Sequence, residues 1–246
     1  MNTFFKHLWI QFKIDIRERG TLMTYYLVPL IFYVIMGTVF SSINPLARQT
    51  LAATMVIFAV TMGAVLGTPV PIVKIRESGV LRAYRVCGIP GWAVLFIHAV
   101  SAFLHLLIIS IFIFVTAPLF FGASYPQSFF AYFLVLFILL FATIALGLFI
   151  GAAARNQSIA MMFSQAIFLP TVVLSGIMFP ASMLPVPLRM IGRLLPATYI
   201  MQSFSVFAFG LPTDMDATLS LLIAACIGVI AAGLTAIRFR AIGKLI

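Results

Sequence analysis

Apolar residues in this chain run in long stretches, separated by short polar segments, rather than recurring on one stripe or alternating. A helix needs about 20 mostly apolar residues to cross a bilayer's hydrocarbon core. Six stretches reach that length: 21–40, 51–70, 92–121, 129–154, 158–179 and 218–237. Each predicts a transmembrane helix, so the expected fold class is an all-α integral membrane protein. The third stretch holds about 30 residues, or about 45 Å of helix. It is expected to tilt, to project beyond the bilayer or to break near Pro118. The first stretch follows Asp15 and Glu18 and is long enough to span, so it is expected to stay in place and not to be cleaved as a leader.

Two segments depart from this pattern. In residues 2–19, Phe5, Leu8, Trp9, Phe12 and Ile16 fall within about a 100° arc of a helix, with Lys6, Lys13 and Arg17 on an adjoining one. Ile10 and Ile14 interrupt the separation. The segment reads as an amphipathic interfacial helix on the inner leaflet, or more simply as a positive anchor that fixes topology. Residues 180–210 are apolar, yet Pro180, Pro185, Pro187 and Pro196 preclude one continuous helix. Irregular backbone at membrane depth is tolerated only inside protein or against a cavity. The expectation is a broken re-entrant hairpin on the outer side, with helices at about 186–195 and 197–209. Arg189 and Arg193 share one face there, in reach of lipid phosphates, and Gly210 ends the second helix. Thr213 and Asp216 resemble a capping box ahead of the sixth span.

Composition changes the picture in one respect: it fixes the solvent. The 246 residues are 63% hydrophobic and 8% charged, against about 25% charged in soluble domains. So little charge cannot cover a water-exposed surface. The net charge of +10 would suggest nucleic acid in a soluble chain, but here the cations sit singly or in small clusters between apolar runs and report orientation instead. With the N-terminus inside, that side carries Lys6, Lys13, Arg17, Arg19, Lys74, Arg76, Arg82, Arg85, Arg155, Arg238, Arg240 and Lys244. Only Arg48, Arg189 and Arg193 lie outside, so both termini are expected in the cytoplasm. Cys87 and Cys226 occupy unrelated contexts, one basic and one apolar, so neither a disulfide nor a metal site is expected.

Candidate chemistry is sparse. No lysine lies in a G-x-x-x-x-G-K-[ST] phosphate loop, and neither H-E-x-x-H nor G-x-S-x-G occurs. All five carboxylates fall outside the predicted spans, which argues against an enzyme and against an ion-driven carrier with an intramembrane relay. His98 and His105, seven residues apart, share a face of the third span. They are polar contacts at a helix interface or, less simply, a haem pair or proton relay. Gly63-x-x-x-Gly67 and Gly147-x-x-x-Gly151 allow close helix approach, between subunits or within one. The segment after the second span, about residues 71–91, is basic and long. Glu77 is its one acid, and Val80 and Tyr84 offer apolar contact. It is either a helix that docks a soluble partner or a plain positive-inside loop.

Two motifs bear on that choice. Glu77, Gly79-Val80-Leu81-Arg82 and Gly88-Ile89-Pro90 resemble the E-x-G-[TV]-L-R…P stretch of the type-2 ATP-binding-cassette exporter permeases. The run LSGIMFPASMLPVPLRMIGRLLPATYI is similar to that family's S-G-x-x-F-P…L-P…P-x-T-Y signature. Val80 stands where the family often has threonine. The resemblance implies a single permease domain over residues 1–246 in a bacterial plasma membrane, paired with a second permease subunit and with separate nucleotide-binding ATPase subunits. ATP and magnesium would reside on those partners, and no cofactor on this chain. It also implies an ATPase-coupling contact at Glu77, Gly79, Val80, Leu81, Arg82 and Arg85. The interfacial helix (Phe5, Trp9, Phe12, Lys13, Arg17) would share in transmission, and the hairpin (Pro180, Pro185, Arg189, Arg193, Pro196) would roof the pathway. Spans rich in Phe, Met and Leu, with Gln165 and Gln202 among them, suit a lipophilic or amphipathic cargo such as a drug, antibiotic or lipid-like molecule. The alternatives are a secondary carrier, a glycan-exporter permease, and a membrane enzyme or scaffold.

Overall fold

The computed structural model describes residues 2–43, 45–178 and 183–245, and every described element is helical. Among the described residues, six helices are long and apolar enough to cross a membrane: Arg19–Ser42, Arg48–Glu77, Gly91–Phe121, Phe129–Ala153, Gln157–Leu174 and Ala217–Arg240. An N-terminal helix, α1 (Asn2–Arg17), precedes them. The first span consists of α2 (Arg19–Leu22), a π-helical turn (Met23–Leu27) and α3 (Val28–Ile43). The second is α4 (Pro45–Met62), another π-turn (Gly63–Gly67) and α5 (Pro69–Glu77). Pro29 follows the first π-turn, and Pro69 and Pro71 follow the second. Each proline lacks the N–H that would bond four residues back, which favours a locally widened helix.

A short helix, α6 (Val80–Val86), links the second span to α7 (Gly91–Phe121). Then come α8 (Phe129–Ala153), α9 (Gln157–Leu174), α10 (Val186–Gly192), α11 (Pro196–Ser203) with a π-turn at Phe204–Ala208, and α12 (Ala217–Leu245). Side-chain caps start three of these helices. Ser128 accepts from the amide of Ala131, Asn156 from that of Ile159, and Asp216 from those of Thr218 and Leu219. Asp216 is therefore the cap of α12 by itself. The expected capping box with Thr213 does not form, because the Thr213 hydroxyl donates to the carbonyl of Met215.

The second span is the axis of the bundle, and every residue from Leu51 to Val65 is buried. Glycines set the closest approaches. A Cβ at Gly147 would overlap the carbonyl oxygen of Ala64, and one at Gly151 would lie 2.8 Å from that of Pro69, so α8 packs directly on second-span backbone. Gly63 and Gly67 receive the ring of Tyr25 from the first span, and Leu106 of α7 also presses on Gly63. Both glycine pairs thus face helices of this same chain.

Three expectations change. The α7 helix does not break at Pro118. The proline sits in the last turn, and the helix ends only at Gly122 (φ 63). The second span continues as helix to Glu77, beyond the expected start of the loop at residue 71, because its last turns are held from outside. The Arg76 guanidinium donates to the carbonyls of Ala152 (3.0 Å), Ala154 and Arg155 (3.2 Å), where α8 ends. A cation there complements the helix dipole and contributes about 0.3–1 kcal/mol. In the 180–210 segment, α10 ends at Gly192, earlier than expected, α11 with its π-turn runs to Ala208, close to the expected 197–209, and Pro180 lies outside the described residues. Thr198 ties the two helices to α9, donating to the carbonyl of Gly192 and meeting the Ser175 hydroxyl at 3.0 Å.

Candidate functional site

The end of the bundle that carries α1, α6 and the α8–α9 turn gathers most of the chain's charge. Ser78 closes α5, and Gly79 (φ 72) reverses the chain in a left-handed conformation that suits glycine. From that turn α6 presents Val80 and Arg82 outward, beside an exposed Glu77. Glu77 accepts a hydrogen bond from Gln157 Nε2 at 2.9 Å, which fixes it against the start of α9. A Cβ at Gly79 would meet nothing within 4 Å. Leu81 departs from expectation: it is 4% exposed, packed in the bundle's core and lining a groove at the foot of α7, so it anchors α6 and leaves no face for a partner. The side chain of Arg85 lies outside the described residues.

Contacts that the sequence does not announce bind this surface to the bundle. His7 of α1 lies 3.2 Å from the Tyr84 hydroxyl of α6, with the two rings 5.3 Å apart. Lys74 of α5 donates to Glu18 at 2.9 Å, and this bond holds the Glu18 carboxyl below its usual range. The α1 helix is thereby tied both to α6 and to the end of the second span.

The packing of α1 adds a polar side, turned into the protein, that the sequence reading did not single out. Phe5, Trp9, Lys13 and Arg17 are exposed, with Lys13 stacked over Trp9 at 5.2 Å from the ring centre. The side turned toward α7 carries Gln11 and Asp15, both buried. Asp15 accepts from Gln11 Nε2 at 2.8 Å and from the Ser101 hydroxyl at 2.5 Å, and it lies 3.8 Å from His105 Nε2. Burial pushes its carboxyl above the usual range, against the opposing pull of these two hydrogen bonds. A carboxylate outside the spans in sequence is thus inside the protein in space. Phe12 stacks on the His105 ring at 4.1 Å, and Tyr26 lies 2.7 Å from His105 Nδ1. His105 thus makes its contacts where α1, the first span and α7 meet.

Among the described residues, two cavities open on the flanks of the bundle. A groove of about 1070 Å³ runs between α7, α8 and α12, lined by aromatic and aliphatic side chains with Trp92 and Arg240 at one end. A second, of about 690 Å³, lies on the outward face of α9 along Ser158, Met161, Met162, Gln165 and Leu169. At the opposite end of the bundle, Arg189 lies 3.6 Å from Asp214, which competes with the expected reach toward lipid phosphates. Arg193 and Pro185 are exposed there, and Pro196 is buried. Cys87 and Cys226 are free and exposed. Among the described residues no three His, Cys, Asp or Glu come close enough to hold a metal ion.

Two curated relatives share part of this chain. Each is named "Probable multidrug ABC transporter permease YbhS", one from Escherichia coli strain K12 and one from Escherichia coli O157:H7. Each is 30% identical over 109 residues, which cover 43% of this chain and 29% of the relative. The match therefore spans less than a third of the relatives' own length. Residues 3–209 match the family described as ABC-2 type transporter, a span that takes in α1, α6 and α7 to α11 together. The chain belongs to the ABC-2 type transporter family as a multi-pass membrane permease.

Proposed function

We propose that this chain is the membrane subunit of an ATP-driven exporter, taking its force from a separate nucleotide-binding ATPase through α6. The observation that carries this reading is the α6 surface itself. It exposes Glu77, Val80 and Arg82 while Leu81, Tyr84, Lys74 and Arg76 fasten its surroundings to α7, α1 and the α8–α9 turn. A push on α6 would reach four spans through short, directed contacts. The distribution of Lys and Arg supports a cytoplasmic placement of that end and of both termini, in a bacterial inner membrane. ATP and magnesium belong to the partner on this reading.

The outward face of α9 favours a second permease copy. Gln165 is exposed in the middle of a span, where acyl chains offer its amide no hydrogen bond. A partner subunit or a pathway would satisfy it. The neighbouring Met161, Met162 and Leu169 suit lipophilic or amphipathic cargo held mainly by area. The name of the relatives points the same way for them. In this arrangement α1 rests at the inner headgroups with Phe5 and Trp9 toward lipid, and α10 and α11 cover the outer mouth.

An ion-gradient carrier draws some support from the buried Asp15–His105 pair. Neither residue lines either cavity, so the pair is not placed where an ion would meet cargo. Export is tested by deleting the protein and screening the cells. Increased sensitivity to a lipophilic antibiotic is expected. An unchanged panel together with a missing surface glycan would transfer the assignment to a glycan exporter.

A further inference from the structure

Asp15 is the one carboxylate of the chain that is buried, and export as proposed above gives it no task. Its surroundings are unusually well built. Four elements converge on it: α1 brings Gln11 and Phe12, α7 brings Ser101 and His105, and the π-turn of the first span brings Tyr25 and Tyr26. The π-turn of the second span closes the cluster, since Gly63 and Gly67 seat the Tyr25 ring and the Tyr25 hydroxyl lies 3.4 Å from Thr68. Single π-turns inside α-helices often mark functional positions.

Within this cluster the hydrogen bonds leave room for one more proton. Both Asp15 oxygens already accept, which suits a carboxylate, yet among the described residues no Lys or Arg forms an ion pair with it. The facing atom is His105 Nε2, 3.8 Å away, buried and with no hydrogen-bond partner. His105 Nδ1 is engaged by the Tyr26 hydroxyl. An ionised carboxylate here without a countercharge costs several kcal/mol, and the same is true of a lone imidazolium. One proton held between the two groups makes the pair neutral overall.

We propose that Asp15 and His105 form a proton-binding site, and that docking of α1 onto the third span takes up one proton from the cytoplasm-facing water. With α1 docked, the proton resides on Asp15 Oδ2 or His105 Nε2. When it leaves, the carboxylate is unpaired in an apolar setting, and α1 swings out to hydrate it. Burial of the Asp15 carboxyl raises its proton affinity, in keeping with this direction. The neighbouring titratable groups are otherwise occupied. Glu18, just past the end of α1, is bonded by Lys74, His7 of α1 meets Tyr84, and Tyr25 and Tyr26 are hydrogen-bonded or packed as above. His98 lies two turns from His105 along α7, and Lys6, Lys13 and Arg17 are exposed. The site does not depend on the export reading, because it concerns the permease alone.

Docking is read as a distance between nitroxide labels at Ile10→Cys and Ile108→Cys. The host is the full chain in nanodiscs, with Cys87 and Cys226 replaced by alanine. From pH 5 to pH 9, the parent protein is expected to pass from one short distance to a second, longer population. Asp15→Asn, which is neutral at every pH, is expected to keep the short distance throughout. His105→Gln is expected to move the midpoint by about one pH unit or more, about 1.4 kcal/mol of coupling. A distance independent of pH in the parent, or the same transition in Asp15→Asn, overturns the proposal. An unshifted midpoint in His105→Gln overturns the shared site. A merely structural Asp15 would lengthen the distance in Asp15→Asn at all pH values, which also contradicts it.

Discussion

Gly147 faces the backbone of the second span so closely that alanine has no room, whereas a Cβ at Gly233 of α12 meets nothing within 4 Å. Replacing Gly147 by alanine is therefore expected to destabilise the chain by about 1–3 kcal/mol. Gly233→Ala is expected to be neutral or stabilising by up to about 1 kcal/mol through helix propensity. Thermal unfolding of the two variants in one detergent measures the contrast, and equal losses would contradict the packing described. A second pair of residues separates by pH. The Asp15 carboxyl is raised, so its stabilising contribution is complete at acid pH and is lost as pH climbs from about 4 through its folded value. The Glu18 carboxyl is lowered by Lys74, so its contribution is present above about pH 4.3 and is lost as pH falls through its folded value. Asp15→Asn should remove the alkaline decline from the melting profile, and Glu18→Gln the acid decline. The two substitutions thus flatten opposite limbs, and flattening of the same limb would refute the assignments.

Among elements, α6 is the one whose exposed and buried residues do different work. Val80 and Arg82 are exposed to a partner, beside Glu77 at the end of α5, while Leu81 holds the helix down. If α6 couples to an ATPase as proposed, charge reversal at Arg82 is expected to weaken that association severalfold and to leave membrane insertion intact. Leu81→Ala, which deletes core contacts, is expected to lower the melting temperature first, at about 2–5 kcal/mol. Co-purification yield and thermal stability separate the two outcomes. Normal export with Arg82 reversed would reduce α6 to a topological anchor. What the sequence revealed of these elements follows from the range of each interaction. A span declares itself in 20 consecutive residues, so all six were legible without a structure. The end of α5, by contrast, depends on Arg76 reaching carbonyls at residues 152–155, and the cap of α12 on which of two nearby oxygens finds the free amides. A break near Pro118 was one of three outcomes the long third span left open, because a proline inside a helix costs a hydrogen bond, but in the last turn little helix remains to disrupt.

For the whole molecule, the hardest feature to read was which side of α1 enters the protein. Its aromatic arc pointed to the membrane interface, where Phe5 and Trp9 stay exposed, but gave no sign that α7 supplies Ser101 and His105 as partners and draws in Gln11 and Asp15. Those partners lie more than 80 residues away, so no local pattern could name them. The chain therefore holds a buried ionisable pair that its sequence concealed. Even so, the pair sits beneath α1 and lines neither cavity, and the contacts that reach several spans gather where α5 meets α6. The central claim is that uphill movement of cargo needs an ATPase docked there. Its most direct measurement is cargo uptake by proteoliposomes holding the permease, with and without the nucleotide-binding subunit that co-purifies from native membranes. Accumulation is expected only with that subunit and ATP, whatever proton gradient is imposed. Accumulation by the permease alone on a proton or sodium gradient would contradict the account.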